Sequence, residues 1–133
     1  MDDPTSRCRI LFVEDHHATR VALSKLLGLD GYELATADCC AAALRLAHAQ
    51  PFDLLIADVG LPDGDGWSLL ERMRGRYPLL RGIVMSGFGM PADLRHTQLA
   101  GYARHLTKPI DAEALRAVIE EVMSPLRPTR QPE

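Results

Sequence analysis

Three short stretches, 9–13, 54–57 and 82–85, run through apolar residues without polar alternation. A strand with one wet face alternates apolar and polar residues. A strand that does not alternate is buried on both faces, and such strands belong to parallel sheets covered by helices. Helical stripes separate them. The segment 18–29 carries Leu23, Leu26 and Leu27 on one side and stops at Gly28 and Gly31. The alanine-rich segment 40–49 is closed by Gln50-Pro51. The spacing of Trp67, Leu70 and Met73 predicts a helix over 67–76 with that stripe inward. Pro91 suits the first turn of a short helix over 91–100. Asp111 is placed to cap a last helix, in which Leu115, Val118, Ile119 and Val122 hold the i, i+3, i+4, i+7 spacing. The segment 32–37 alternates and is assigned to a sheet edge, and 102–106 reads as a fifth strand. Strand and helix thus repeat five times. This is an α/β pattern: one domain, a doubly wound five-stranded parallel sheet, helices on both faces.

A chain of 133 residues suits one domain. The organisation expected is a flexible lead-in over 1–8, the domain over 9–123, and a proline-rich tail or linker over 124–133. Composition is ordinary for a globular protein, 47% hydrophobic and 25% charged. There is no run long enough to span a membrane and no signal-peptide pattern, so a cytoplasmic protein without membrane contact is expected. The formal net charge of −3 argues against nucleic acid as a partner. Cys8, Cys39 and Cys40 are odd in number and form no Cys-x-x-Cys, so free thiols are expected rather than a disulfide framework or zinc site.

The polar residues fall at one place, the carboxyl ends of the strands. The first strand ends in Glu14 and Asp15, the third in Asp58, the fourth in Ser86 and the fifth in Lys108. In a parallel sheet all these ends share one edge, where ligands of open α/β sheets bind. Three clustered carboxylates repel. At ~4 Å and an effective dielectric of about 20, each like pair costs on the order of 4 kcal/mol. One lysine offsets part of that, and a hard divalent cation offsets the rest. A carboxylate-rich site with few protein ligands favours Mg²⁺. No register of Asp58, Asp63 and Asp65 supplies a calcium-binding EF-hand loop. A carboxylate beside Mg²⁺ with Lys and Ser at hand suggests phosphoryl transfer to Asp58. Lys108 and Ser86 would hold phosphoryl oxygens, because such catalysis is mostly positioning and charge neutralisation.

These residues, in this order, resemble the response-regulator receiver domains of two-component signalling. The likeness rests on Glu14-Asp15, on Asp58 in Asp-Val-Gly-Leu-Pro-Asp-Gly-Asp-Gly, on Ser86 before a small residue, and on Lys108-Pro109. It covers roughly residues 9 to 123. It implies a flavodoxin-like strand order 2-1-3-4-5. It implies Asp58 as acceptor of a phosphoryl group from a phosphohistidine, on a histidine kinase or a histidine phosphotransfer protein. Mg²⁺ would be held by Asp15, Asp58 and the backbone carbonyl of Gly60, with Glu14 acting through water. A cis peptide at Lys108-Pro109 is implied too. Ser86 and the residue three before the lysine would form the switch that changes a protein-binding face for a downstream target, with a homodimer left open.

Two residues depart from the family pattern. The switch position, usually Tyr or Phe, is His105. Its imidazole predicts that the inward state is favoured above neutral pH and penalised below it. The position two after Asp58 is Gly60, which has no side chain to orient an attacking water. Two other readings compete. An aspartyl-phosphate phosphatase would want a second Asp where Gly60 stands. A phosphorylation-independent binding module would not need the full acidic set. Since the receiver nearly fills the chain, it is expected either to stand alone or to come from a hybrid histidine kinase, whose receivers the Leu106-Thr107-Lys108-Pro109 context slightly favours. The remaining polar groups have plainer assignments: Asp63 and Asp65 as turn formers, His16 and His17 in a solvated loop, His48 and His96 on helix surfaces. Gly87-Phe88-Gly89 is a turn, and Arg72, Arg74, Arg76 and Arg81 form a solvated helix end.

Overall fold

The structure is a computed structural model that describes residues 8–87 and 91–124, with 91–93 described by backbone alone. The lead-in up to residue 7, residues 88–90 of the turn after Ser86, and the tail from 125 lie outside the described residues. In chain order the elements are β1 (Arg9–Val13), α1 (His17–Leu29), β2 (Glu33–Ala37), α2 (Cys40–Ala49), β3 (Leu54–Asp58), β4 (Gly60–Leu61), β5 (Gly64–Asp65), α3 (Gly66–Arg74), β6 (Arg81–Ser86), α4 (Pro91–Leu99), β7 (Arg104–Thr107) and α5 (Ala112–Met123).

Five strands form one all-parallel sheet in the order β2-β1-β3-β6-β7. With β4 and β5 set aside, this is the order 2-1-3-4-5. The alternating strand 32–37 sits at the edge, as its pattern predicted. Alternate residues of the central strands feed two separate cores. Leu11, Val13, Leu55, Ala57 and Val84 face α2 and α3. Ile10, Phe12, Leu54, Ile56, Ile83 and Met85 face α1 and α5. Both faces being dry, every one of these side chains is fully buried. Each such Leu, Ile or Phe contributes about 1.5–3 kcal/mol relative to exposure.

Several details differ from the sequence reading. The segment after Asp58 is not plain loop, because Gly60–Leu61 and Gly64–Asp65 pair as a two-residue antiparallel hairpin. The inward face of α3 is Leu69, Leu70 and Met73. Trp67 is only half-buried. It lies flat on the His96 ring of α4, centroids 3.9 Å apart, and donates to Thr97 Oγ1. Trp67 therefore packs against the edge of the core and also joins two helices. The last strand begins at Arg104, not 102. Tyr102 precedes it, buried, with its hydroxyl donating to the Gly66 carbonyl. Asp111 stands at the N-cap of α5, but its side chain makes no capping bond. Cys8, placed with the lead-in, is buried, and its carbonyl accepts from Glu33 N–H.

Candidate functional site

The site is built where β1, β3, β6 and β7 end. Val13 is the last residue of β1, and the chain turns there into α1. Glu14 N–H still donates to Ala37 O of β2, which draws Glu14 fully inside, while Asp15 is exposed. Glu14 Oε2 accepts from His16 N–H at 3.1 Å, and Arg20 donates to the Glu14 carbonyl at 2.8 Å. His16 is not idle in its loop: its Nδ1 accepts from Thr19 N–H as the N-cap of α1. His17 pairs with Arg20 at 3.0 Å, so neither histidine joins the acidic group.

Asp58 closes β3 and is paired with Met85 in the ladder, while the next amide, Val59 N–H, donates to Met85 O. The backbone beyond must turn sharply to start α3. Gly66 N–H returns to Val59 O at 2.9 Å, and a Cβ on Gly66 would stand 2.3 Å from the Asp58 carbonyl oxygen. Only glycine fits there. Gly60 lies two residues beyond Asp58, exposed, in the first hairpin strand.

Carboxylate oxygens of Glu14, Asp15 and Asp58 all lie within 4.8 Å of one another. Lys108 reaches this group from the end of β7, held by its amide donating to Ser86 O. The Lys108–Pro109 peptide is cis. Lys108 Nζ stands 2.8 Å from Glu14 Oε1 and donates to Asp58 Oδ2 at 3.1 Å. Glu14 Oε1 makes no well-directed hydrogen bond, so its bond to Lys108 is one of charge. Burial alone would push the Lys108 ammonium down. Its contacts with Glu14 and Asp58 outweigh that and hold it above the ordinary lysine value. Asp15 makes no ion pair among the described residues. Three carboxylates thus face one ammonium, a donor set made wholly of hard oxygens.

Ser86, at the end of β6, is buried, and its Oγ is 3.2 Å from Nε2 of the half-buried His105. The structure therefore gathers Glu14, Asp15, Asp58 and Lys108 into one cluster and joins Ser86 to His105 beside it.

Two groups were undervalued by sequence reasoning. Asp63, assigned to a turn, accepts from Cys40 N–H and Ala41 N–H at 2.7 and 2.9 Å, so the hairpin turn holds the N-terminus of α2. Those two amides keep its carboxyl below the usual carboxylate range. Asp65 accepts from Ser68 N–H as the N-cap of α3. An Asp just before a helix start is a readable N-cap signal; the tie from Asp63, 22 residues along the chain from Ala41, is not. The arginine cluster is also more engaged than a solvated end. Arg74 donates to Leu80 O, Arg81 to Val122 O, and Arg76 to His48.

Residues 10–120 match the family profile described as the response regulator receiver domain. The chain belongs to that family. Its similarity to the FleR response regulator of Pseudomonas aeruginosa is 39% identity over 107 residues, covering 80% of this chain and 23% of FleR. The chain spans under a quarter of that relative. Similarity to sporulation initiation phosphotransferase F of Bacillus subtilis is 27%, over 86% of this chain and 93% of that protein. Among solved structures, the CheY-like receiver domain protein of Methanospirillum hungatei superposes with a TM-score of 0.81 at 28% identity, covering 86% of this chain and 92% of that one. The receiver is a phosphorylation-switched signalling module with a flavodoxin-like fold. No helix among its described residues is long and apolar enough to cross a membrane.

Proposed function

We propose that the receiver takes a phosphoryl group on Asp58 from the phosphohistidine of a histidine kinase or histidine phosphotransfer protein. The observation that carries this is the convergence of Glu14, Asp15 and Asp58 with Lys108 bridging two of them. In the transfer, an Asp58 carboxylate oxygen forms a bond to phosphorus, the phosphorus–nitrogen bond of the donor breaks, and the imidazole leaves with that electron pair. Lys108 lies against Asp58 and carries the positive charge that the incoming phosphoryl oxygens require. Ser86 is a hydroxyl donor at the neighbouring strand end.

The donor set fits Mg²⁺. All ligands are oxygens, and one ammonium against three carboxylates leaves the cluster with two negative charges in excess. Asp15, Asp58 and the Gly60 carbonyl would hold the ion, with Glu14 acting through water. When bound, it supplies charge neutralisation for the phosphoryl oxygens. The protein catalyses only its own phosphorylation and dephosphorylation. Gly60, where a phosphatase would want its second Asp, favours this reading over the aspartyl-phosphate phosphatase.

Movement of Ser86 toward a phosphoryl oxygen would alter its contact with His105, and so alter the surface around β7 that a downstream protein reads. The receiver unit proposed is 9–123, with 124–133 as a proline-rich tail or linker. We place the exchange in the cytoplasm, where the free thiols of Cys8, Cys39 and Cys40 are at home. Acetyl phosphate with Mg²⁺, followed by intact mass, tests the assignment. A single phosphoryl addition that Asp58→Asn abolishes is expected. Full labelling of Asp58→Asn would overturn it, and repeated turnover of donor without addition would favour the phosphatase.

A further inference from the structure

An open cleft of about 400 Å³ lies between α2 and α3, away from the acidic cluster. Its α2 wall is one helical stripe, Ala41, Leu44, Arg45 and His48, at the i, i+3, i+4, i+7 spacing. Arg72 of α3 faces it. The cations are the notable part. Arg45 and Arg72 are exposed and make no ion pair among the described residues. Arg76, one turn beyond Arg72, donates to His48 Nδ1 at 3.3 Å. An arginine can only donate, so His48 accepts there, and its Nε2–H is the donor it can still offer. Asp63, the carboxylate among the lining residues, has both oxygens on the α2 amides. Two exposed guanidiniums, Arg45 and Arg72, thus line the cleft against one engaged carboxylate, on a chain whose net charge is −3.

We propose that this cleft docks an acidic segment of a partner protein, its carboxylates on Arg45 and Arg72 and an apolar side chain over Leu44. Charge complementarity points to the ligand: guanidinium forks match carboxylates in pairs, and a half-buried leucine between them rewards an apolar group. The cations are spread along two helices rather than converging on one point, so an extended chain fits better than a small anion. The cleft is separate from the phosphoryl site, and its occupation does not depend on Asp58.

The test is a titration of the unmodified receiver, without phosphodonor, using the fluorescein-labelled peptide Glu-Glu-Leu-Glu-Glu and reading anisotropy, with amide shifts followed by NMR. Saturable binding that weakens as salt rises is expected, with amide shifts on α2 and α3. The double variant Arg45→Ala, Arg72→Ala should bind roughly tenfold more weakly. Lys25→Ala, an exposed cation on α1, should bind like the parent. Far-UV circular dichroism of each variant verifies the fold. The proposal is overturned by no saturable binding, by equal affinity of the double variant, by equal loss in Lys25→Ala, or by shifts confined to α4 and α5. Displacement of the peptide by single-stranded RNA at equal concentration would also overturn it, since the cleft would then be a general polyanion surface.

Discussion

Gly66→Ala is the substitution whose effect the structure sets most directly. The added Cβ would lie 2.3 Å from the Asp58 carbonyl oxygen, 2.9 Å from its carbon and 3.3 Å from Val59 Cα. All three are backbone atoms, so no side chain can swing aside. To reach 3.0 Å, the shortest tolerable approach, helix start and strand end must separate by at least 0.7 Å. That movement is opposed at three points. Gly66 N–H is bonded to Val59 O, Gly66 O accepts from Tyr102, and Val59 N–H is bonded to Met85 O. Overpacking of this kind typically costs about 1–3 kcal/mol. For a domain of this length, at about 4 °C per kcal/mol, the melting temperature should fall by about 4–12 °C. The displaced atoms belong to the residue that carries the acceptor carboxylate. Since a 1 Å misplacement can cost on the order of 100-fold in rate, phosphorylation by acetyl phosphate should slow by about tenfold or more. Thermal melts by circular dichroism and initial labelling rates by intact mass read the two effects. Gly28→Ala in α1 is the control, because a Cβ there meets nothing within 4 Å and the residue lies outside the site. If Gly66→Ala melts within about 1 °C of the parent and labels at the parent rate, the contact does not constrain the acceptor loop.

Further expectations follow from other contacts. Millimolar Mg²⁺ should raise the melting temperature by linkage, and Asp15→Asn should remove most of that gain; an unresponsive parent protein would show that the acidic cluster is not a metal site. Asp63→Ala should lower the melting temperature at neutral pH by freeing the α2 amides. Because the folded carboxyl titrates below its ordinary value of 3.8, its contribution is present above that value and lost as pH falls through the lower folded one. The parent's advantage over Asp63→Ala should therefore shrink as pH falls below the ordinary value of 3.8, and an advantage that does not change with pH would contradict the assignment. Burial pushes the Cys8 and Cys40 thiols up to about 11, so iodoacetamide near neutral pH should label the half-buried Cys39 first. Peptide mapping that finds Cys40 modified before Cys39 would refute this.

Residue pattern alone determined the sheet and most of the site. Uninterrupted apolar runs in β1, β3 and β6 can be satisfied only by burial on both faces, which demands helices on each side and parallel strands between them. Once the strands are parallel, Glu14, Asp58 and Lys108 must meet at one edge, because chain direction puts every carboxyl end there. Side-chain type then gives the cluster its charge.

The tertiary structure decided what depends on distance between segments far apart in sequence. Periodicity placed Trp67 inward, and it does rest on the core; packing also set it against His96 and Thr97, where its indole N–H finds an acceptor. Tyr102 looked like the start of a strand, yet it is buried beside β6 because Gly82 leaves room for its ring. No local rule joins Asp63 to the amides of α2, since each end of that bond is ordinary by itself. The same holds for the cleft between α2 and α3: its arginines lie in segments that read as unremarkable helix surface, and only the packing of the two helices brings them to face each other.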